Sequence, residues 1–196
     1  FDISMISNIP NIVYLAPTNK EEYLSMLDWS IEQVEHPVFI RVPLGEPVTT
    51  GKVDKTNYSD LNKYQVVRKG SDVAIIALGT FFKLGKKVYD RLKQAGFNPT
   101  LINPKFITGI DEDLLDRLKD EHNITITLED GILDGGFGQK IASYYGDSEM
   151  KVLNYGGKKE FTDRVKVTEL YERYRLTPEL IFEDVMKLQS GNLLYA

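Results

Sequence analysis

The hydrophobic residues of this chain fall into two kinds of run. Short unbroken runs read as buried strands, and runs spaced three or four apart read as helices with one apolar face. Residues 11–16 are the first unbroken run and predict a strand. Thr18 follows with an oxygen suited to an N-cap, and Glu21 three positions later completes a capping box. Leu24, Leu27, Ile31 and Val34 then recur at helical spacing until Pro37 ends the pattern, and residues 38–42 make a second strand. Strand, helix, strand in that order predicts a βαβ unit feeding a parallel sheet.

Residues 43–63 break the pattern. Pro43, Gly45, Pro47 and Gly51 stand among scattered Thr, Asn and Asp with no hydrophobic period, which reads as an inter-domain linker. A second α/β run begins at Tyr64. Strands are expected over 64–68, 73–78, 99–103, 123–128 and 150–154. One helix is expected from a Thr80 cap through Leu84, Val88 and Leu92 to Gly96, and others over 111–120 and 139–145. The last begins at Thr177-Pro178, a cap followed by proline at the first helical position, and carries Ile181, Val185 and Leu188. The end of the chain, from Ser190, reads as frayed, and no internal repeat is present.

Composition narrows the classes. Hydrophobic residues at 42% are enough for a sizeable core, and a net charge of -5 argues against a nucleic-acid partner. No apolar run approaches the roughly 18 to 20 residues of a membrane span. The absence of cysteine excludes disulfides, thiol catalysis and cysteine metal sites, which fits a cytoplasmic protein. The chain opens on Phe1 and runs at once into the strand pattern, so it is expected to be a piece of a larger protein.

Three places could carry chemistry. The turn from Gly131 to Gly138, with Gly135, Gly136 and Gly138, lies after a strand and before a helix, where backbone N–H groups can hold an anion. It is not a dinucleotide fingerprint, since Ile141 stands where the third glycine belongs, nor a P-loop, since no Gly-Lys-Ser/Thr follows. The plainer reading is close strand-to-helix packing through missing side chains. Arg41, at the C-terminal end of a predicted parallel strand, suits a phosphate or carboxylate. It equally suits an inter-domain ion pair. The adjacent Glu129 and Asp130 close a strand and serve either acid–base work or the capping of the next turn. His36 and His122 have no triad-like neighbours, His122 reads as helix-end satisfaction, and no metal-ligand spacing exists.

The order of segments resembles the 1-deoxy-D-xylulose-5-phosphate synthases. The residues that carry this are Phe1-Asp2-Ile3, Ser7 to Asn11, Ala16 to Asn19, Pro37 to Pro43, Gly70 to Thr80, and Ile126 to Asp130 followed by Gly135 to Gly138. The later motifs are shared with the wider transketolase-like group of thiamine-diphosphate enzymes. The resemblance implies that residues 1–43 are the tail of a pyrimidine-binding middle domain. It makes 44–63 a linker, 64–190 a three-layer α/β domain like the transketolase C-terminal domain, and 191–196 a tail.

It also implies a reaction, the condensation of pyruvate with D-glyceraldehyde 3-phosphate with release of CO2, on the way to isoprenoid and thiamine precursors. Thiamine diphosphate and Mg2+ would be held by the N-terminal part of the same protein. No catalytic residue of the family falls within this chain, so the chain alone is expected to be inactive and to bind neither cofactor. Arg41 matches the arginine that grips the substrate phosphate. Leu44 stands where many members carry a second arginine and cannot donate a hydrogen bond. Phe106 to Asp111 resembles a family stretch usually carrying Lys-Pro-Leu-Asp. The expected partners are that N-terminal part, a second copy in a homodimer and small-molecule substrates, with no nucleic acid and no membrane. Two other readings stay open: part of a transketolase or ketoacid-dehydrogenase β-type subunit, and a non-catalytic α/β module for binding or oligomerisation.

Overall fold

The computed structural model describes residues 1–42 and 48–190. The sequence readings of Pro43, Leu44 and Gly45, and of the tail at 191–196, lie outside the described residues. The first region holds α1 (Asp2–Ile6), β1 (Val13–Leu15), α2 (Lys20–Glu32) and β2 (Val38–Ile40), with β1 and β2 paired in parallel.

The second region begins with β3 (Gln65–Arg68) and β4 (Val73–Ala77), followed by a 3-10 turn over Gly79–Phe81 and α3 (Phe82–Gln94). It continues with β5 (Thr100–Asn103), α4 (Glu112–Glu121), β6 (Ile124–Ile132) and α5 (Phe137–Tyr144). It ends with β7 (Lys151–Gly157), α6 (Val167–Arg173) and α7 (Pro178–Gln189). Its sheet has the order β3-β5-β4-β6-β7, with β3 the antiparallel edge strand and the rest parallel.

The fully apolar run became the central strand β4, since a parallel strand covered on both faces has no polar side to show. Val73 to Ala77 are buried throughout. One face packs with α3 and α7, through Val88, Leu92, Ile181 and Val185. The other packs with α4 and α5, through Leu115, Leu118, Phe137 and Ile141. The expected three layers are thus present.

Local chemistry moved several boundaries. The cap of α2 is Asn19, not Thr18, and its side chain accepts from Glu22 N at 2.9 Å. Glu22 is drawn inward and accepts from Thr18 N and Oγ1 and from Asn103 Nδ2. The inward face of α2 is consequently Glu22, Met26 and Trp29, while Leu24, Ile31 and Val34 are exposed. Thr80 does not cap α3: it lies inside the 3-10 turn and donates to Asp130 Oδ2 at 3.2 Å. The caps at Asp111 and Thr177 do form, accepting from Leu114 N and Leu180 N. The helices α1 and α6 were not expected from the sequence.

The segment after residue 47 packs between the two regions. Tyr58 is 1% exposed and joins Met26 and Phe106 in a small third core. Lys105, also 1% exposed, pairs with Glu22 Oε1 at 3.5 Å and Asp54 Oδ1 at 3.2 Å. The other flank of β1 bonds to the segment after β5, with Ala16 N donating to Lys105 O and Ile107 N to Tyr14 O.

Candidate functional site

In the larger sheet β5 lies on one side of β4 and β6 on the other, so the chain reverses its direction of strand addition at β4. Such a reversal leaves a crevice outside the carboxyl ends of the strands. A cavity of about 820 Å³ is found there, lined by Thr80 after β4 and by Glu129, Asp130 and Gly131 in β6. Arg41, Asp2 and Phe1 close it from the first region, and Lys158, Tyr171 and Tyr174 from the far side.

Arg41 is carried into the crevice by the parallel pair: its backbone N–H continues the β1–β2 ladder to Leu15 O at 2.8 Å. Its guanidinium is bonded from both regions. Nε donates to Asp2 Oδ2 at 2.6 Å and Nη2 to Asp2 Oδ1 at 3.3 Å, while Nη2 also donates to Asp130 O at 2.6 Å. Nη1 reaches only Asp130 Oδ2, at 3.5 Å. A guanidinium has five N–H donors, so the Nη1 side keeps capacity for an incoming acceptor among the described residues. Arg41 therefore forms the inter-region ion pair of one sequence reading, and it does so at the edge of a strand-end crevice.

Asp2 was not singled out by the sequence. Burial pushes its carboxyl up, but hydrogen bonds from Arg41 and from Tyr14 Oη, at 2.6 Å, outweigh that and hold its pKa at about 2. For Arg41 burial opposes the charge and the carboxylates of Asp2 and Asp130 more than restore it. Tyr14 is pushed above the ordinary phenol range by burial and by Asp2.

The glycine-rich turn is filled from within. Glu129 accepts from Phe137 N at 2.9 Å and Gly138 N at 2.8 Å, placing its own carboxylate at the start of α5. Burial pushes Glu129 above the usual carboxylate range, against the pull of those two N–H groups. A Cβ at Gly136 would lie 2.5 Å from both Glu129 Oε2 and Ile132 O, so the carboxylate approaches only because the side chain is missing. Gly135 has φ +69°, the left-handed turn that starts this approach. The adjacent acids have thus parted: Glu129 caps a helix and Asp130 faces Arg41 and Thr80.

The histidines are structural in setting. His122 is the C-cap of α4, and its Nε2 lies 2.7 Å from Thr100 Oγ1. His36 Nδ1 lies 2.9 Å from Asn11 Oδ1. Among the described residues no group of three or more His, Cys, Asp or Glu is arranged to hold a metal ion. The first N–H groups of α5 are thus taken by Glu129. No described helix is long and apolar enough to cross a membrane.

Residues 62–181 match the family model of the transketolase C-terminal domain. The chain belongs to that family. It is 38% identical over 190 residues to the 1-deoxy-D-xylulose-5-phosphate synthase of Clostridium tetani, covering 96% of this chain and 30% of that protein. It is 33% identical to the synthase of Shouchella clausii with the same coverage. The chain thus spans about 30% of the length of the curated relatives it matches. Among solved structures, a split-gene transketolase superposes with a TM-score of 0.79 at 22% identity, over 95% of this chain and 60% of that one. A transketolase mutant from Pichia stipitis gives 0.68 at 14% identity, over 94% and 26%. These two show the fold, and with the family match they make the larger sheet a transketolase C-terminal domain.

Proposed function

We propose that this chain is part of a thiamine-diphosphate-dependent transferase that joins pyruvate to D-glyceraldehyde 3-phosphate, forming 1-deoxy-D-xylulose 5-phosphate and releasing CO2. Its own contribution is the wall of the crevice that receives the phosphorylated aldehyde, with Arg41 gripping the phosphate. One observation carries the reading: Arg41, within the stretch that aligns with the synthases, stands at the strand-end switch point with its Nη1 side, among the described residues, open to an acceptor. Lys158 on the far wall adds a second positive charge.

Thiamine diphosphate and Mg2+ supply the carbanion chemistry in this proposal and are bound outside the described residues. The chain alone does not catalyse. The split-gene transketolase, described as an inactive β4 tetramer, supports that expectation by analogy. The partners are the rest of the same polypeptide and, in a homodimer, a second copy.

In the complete enzyme Arg41→Ala raises KM for the phosphorylated aldehyde about 10- to 150-fold, the loss of a charge-assisted contact, and leaves KM for pyruvate nearly unchanged. Steady-state kinetics with each substrate varied in turn tests this, and an unchanged aldehyde KM removes Arg41 from the site. The isolated chain, given both substrates, thiamine diphosphate and Mg2+, forms no product. Detectable product overturns the claim of inactivity.

A further inference from the structure

We propose that the two carboxylates on Arg41 act in opposite senses on an arriving anion: Asp2 positions the guanidinium, and the Asp130 side chain holds the place the anion takes. The inference rests on the reading of Arg41 as the phosphate-binding residue and assigns roles to two residues beyond it.

The two acids differ in geometry. Asp2 grips one edge of the guanidinium through a two-bond fork, at 2.6 Å on Nε and 3.3 Å on Nη2. Its Oδ2 is held in turn by Tyr14 Oη at 2.6 Å, and Tyr14 is only 3% exposed. The backbone carbonyl of Asp130 takes the other Nη2 proton at 2.6 Å. Three bonds from two regions therefore fix the plane of the guanidinium and leave Nη1 as the nitrogen without a short partner among the described residues.

The Asp130 side chain is bound loosely by comparison. It is 53% exposed, reaches Nη1 only at 3.5 Å, and accepts from Thr80 Oγ1 at 3.2 Å. Arg41 Nη1 and the Thr80 hydroxyl are thus two donors converging on one oxygen at the mouth of the crevice. A phosphate monoester presents three acceptor oxygens and more negative charge than a carboxylate. It competes for those same two donors, and like charges at one seat disfavour each other. The phosphate displaces the Asp130 side chain and leaves the Asp2 fork in place.

The test uses glycerol 3-phosphate titrated into the chain by calorimetry, with the 15N signal of the Arg41 Nε–H followed in parallel. Asp2→Ala weakens binding about five- to tenfold and moves the Nε–H signal from its bonded position, the loss of one charge-assisted fork at a half-exposed site. Tyr14→Phe, which removes only the bond behind Asp2, weakens binding by a smaller factor. Asp130→Ala tightens binding about two- to fivefold, since it removes the competitor. In the unsubstituted chain phosphate leaves the Nε–H signal in place. Tighter or unchanged binding in Asp2→Ala, or weaker binding in Asp130→Ala, overturns the assignment. Arg41→Ala separates the two levels: unchanged affinity there brings down the phosphate reading itself. Lost affinity there, with both aspartate variants shifting the same way, brings down only the opposed roles.

Discussion

In the five-stranded sheet β4 is buried at every position, whereas in the two-stranded sheet β2 has no buried residue and its Phe39 is 41% exposed. Both strands are apolar and parallel, so composition does not explain the difference. Coverage does: β4 lies between two helical layers and between two neighbouring strands. For β2, the strand β1 is the one partner among the described residues, and α2 adds a small core through Met26 and Trp29. A parallel sheet needs both faces covered. The larger region meets that need with its own helices, while the smaller one relies on its junction with the larger. The junction is polar and buried, which makes it the most sensitive place in the molecule.

Lys105 is the centre of that junction, and its loss is the largest effect expected. It pairs with Glu22 from the first region and with Asp54 from the connecting segment, all three with side chains at or below 10% exposure. Lys105→Met keeps most of the volume and removes the charge, leaving two buried carboxylates without their cation. Removing one partner of a buried ion pair costs about 3–5 kcal/mol. Urea unfolding at pH 7 should show this loss. A cost below about 1 kcal/mol would mean that the junction does not hold the first region in place.

The comparison also explains what could be read in advance. The strands β4, β5 and β6 and the helices α3, α4 and α7 were legible because each carries enough consecutive period to fix its face. The helix α6 was overlooked although Val167, Leu170, Tyr171 and Tyr174 recur at helical spacing and line the crevice, and α1, with five residues, is too short to show a period. The face of α2 was misread because Leu24 and Ile31 point outward and Val34 lies beyond the helix end. A buried acid at Glu22, paid for by Asn103 and Lys105 from distant sequence, sets its orientation instead. Arg41 was legible as a strand-end cation. That Asp2 and Asp130 share it, from 39 and 89 residues away, was not, since only the folded chain brings them together. The glycine turn was legible as close packing and the adjacent acids as its cap, but that Glu129 fills the turn while Asp130 turns to Arg41 was not.

The two regions should also differ in the sign of their response to acid, a smaller effect. Asp2 titrates at about 2 against an ordinary 3.8, so its contribution is present above about pH 5 and is lost as pH falls through 3.8 toward 2. Since its side chain is 39% exposed, solvent screening reduces the contribution to about 1 kcal/mol. In the larger region Glu129 is raised by burial, so its contribution is greatest below the ordinary carboxylate pKa and is lost as pH rises through its folded value. Unfolding free energies of the chain and of Asp2→Asn, measured from pH 7 to pH 2.5, should converge at the acid end. Parallel curves across that range would show that Asp2 carries no linked proton.

The smallest effect is expected on the outward stripe of α2. Leu24 is 44% exposed and Ile31 is 72% exposed, and a substitution at such a position changes stability by about 0.5 kcal/mol or less. Ile31→Ser should therefore leave the urea midpoint nearly unmoved. Leu92→Ala, at 0% exposure on the inner face of α3, should cost about 2–5 kcal/mol. Ile31→Ser measures whether α2 is held from its inner face alone, and Leu92→Ala gives the scale of a core loss. If Ile31→Ser costs more than about 1 kcal/mol, and the cost grows with protein concentration, the stripe is covered by a second copy in solution, and the contrast between the two regions belongs to the single chain rather than to the working assembly.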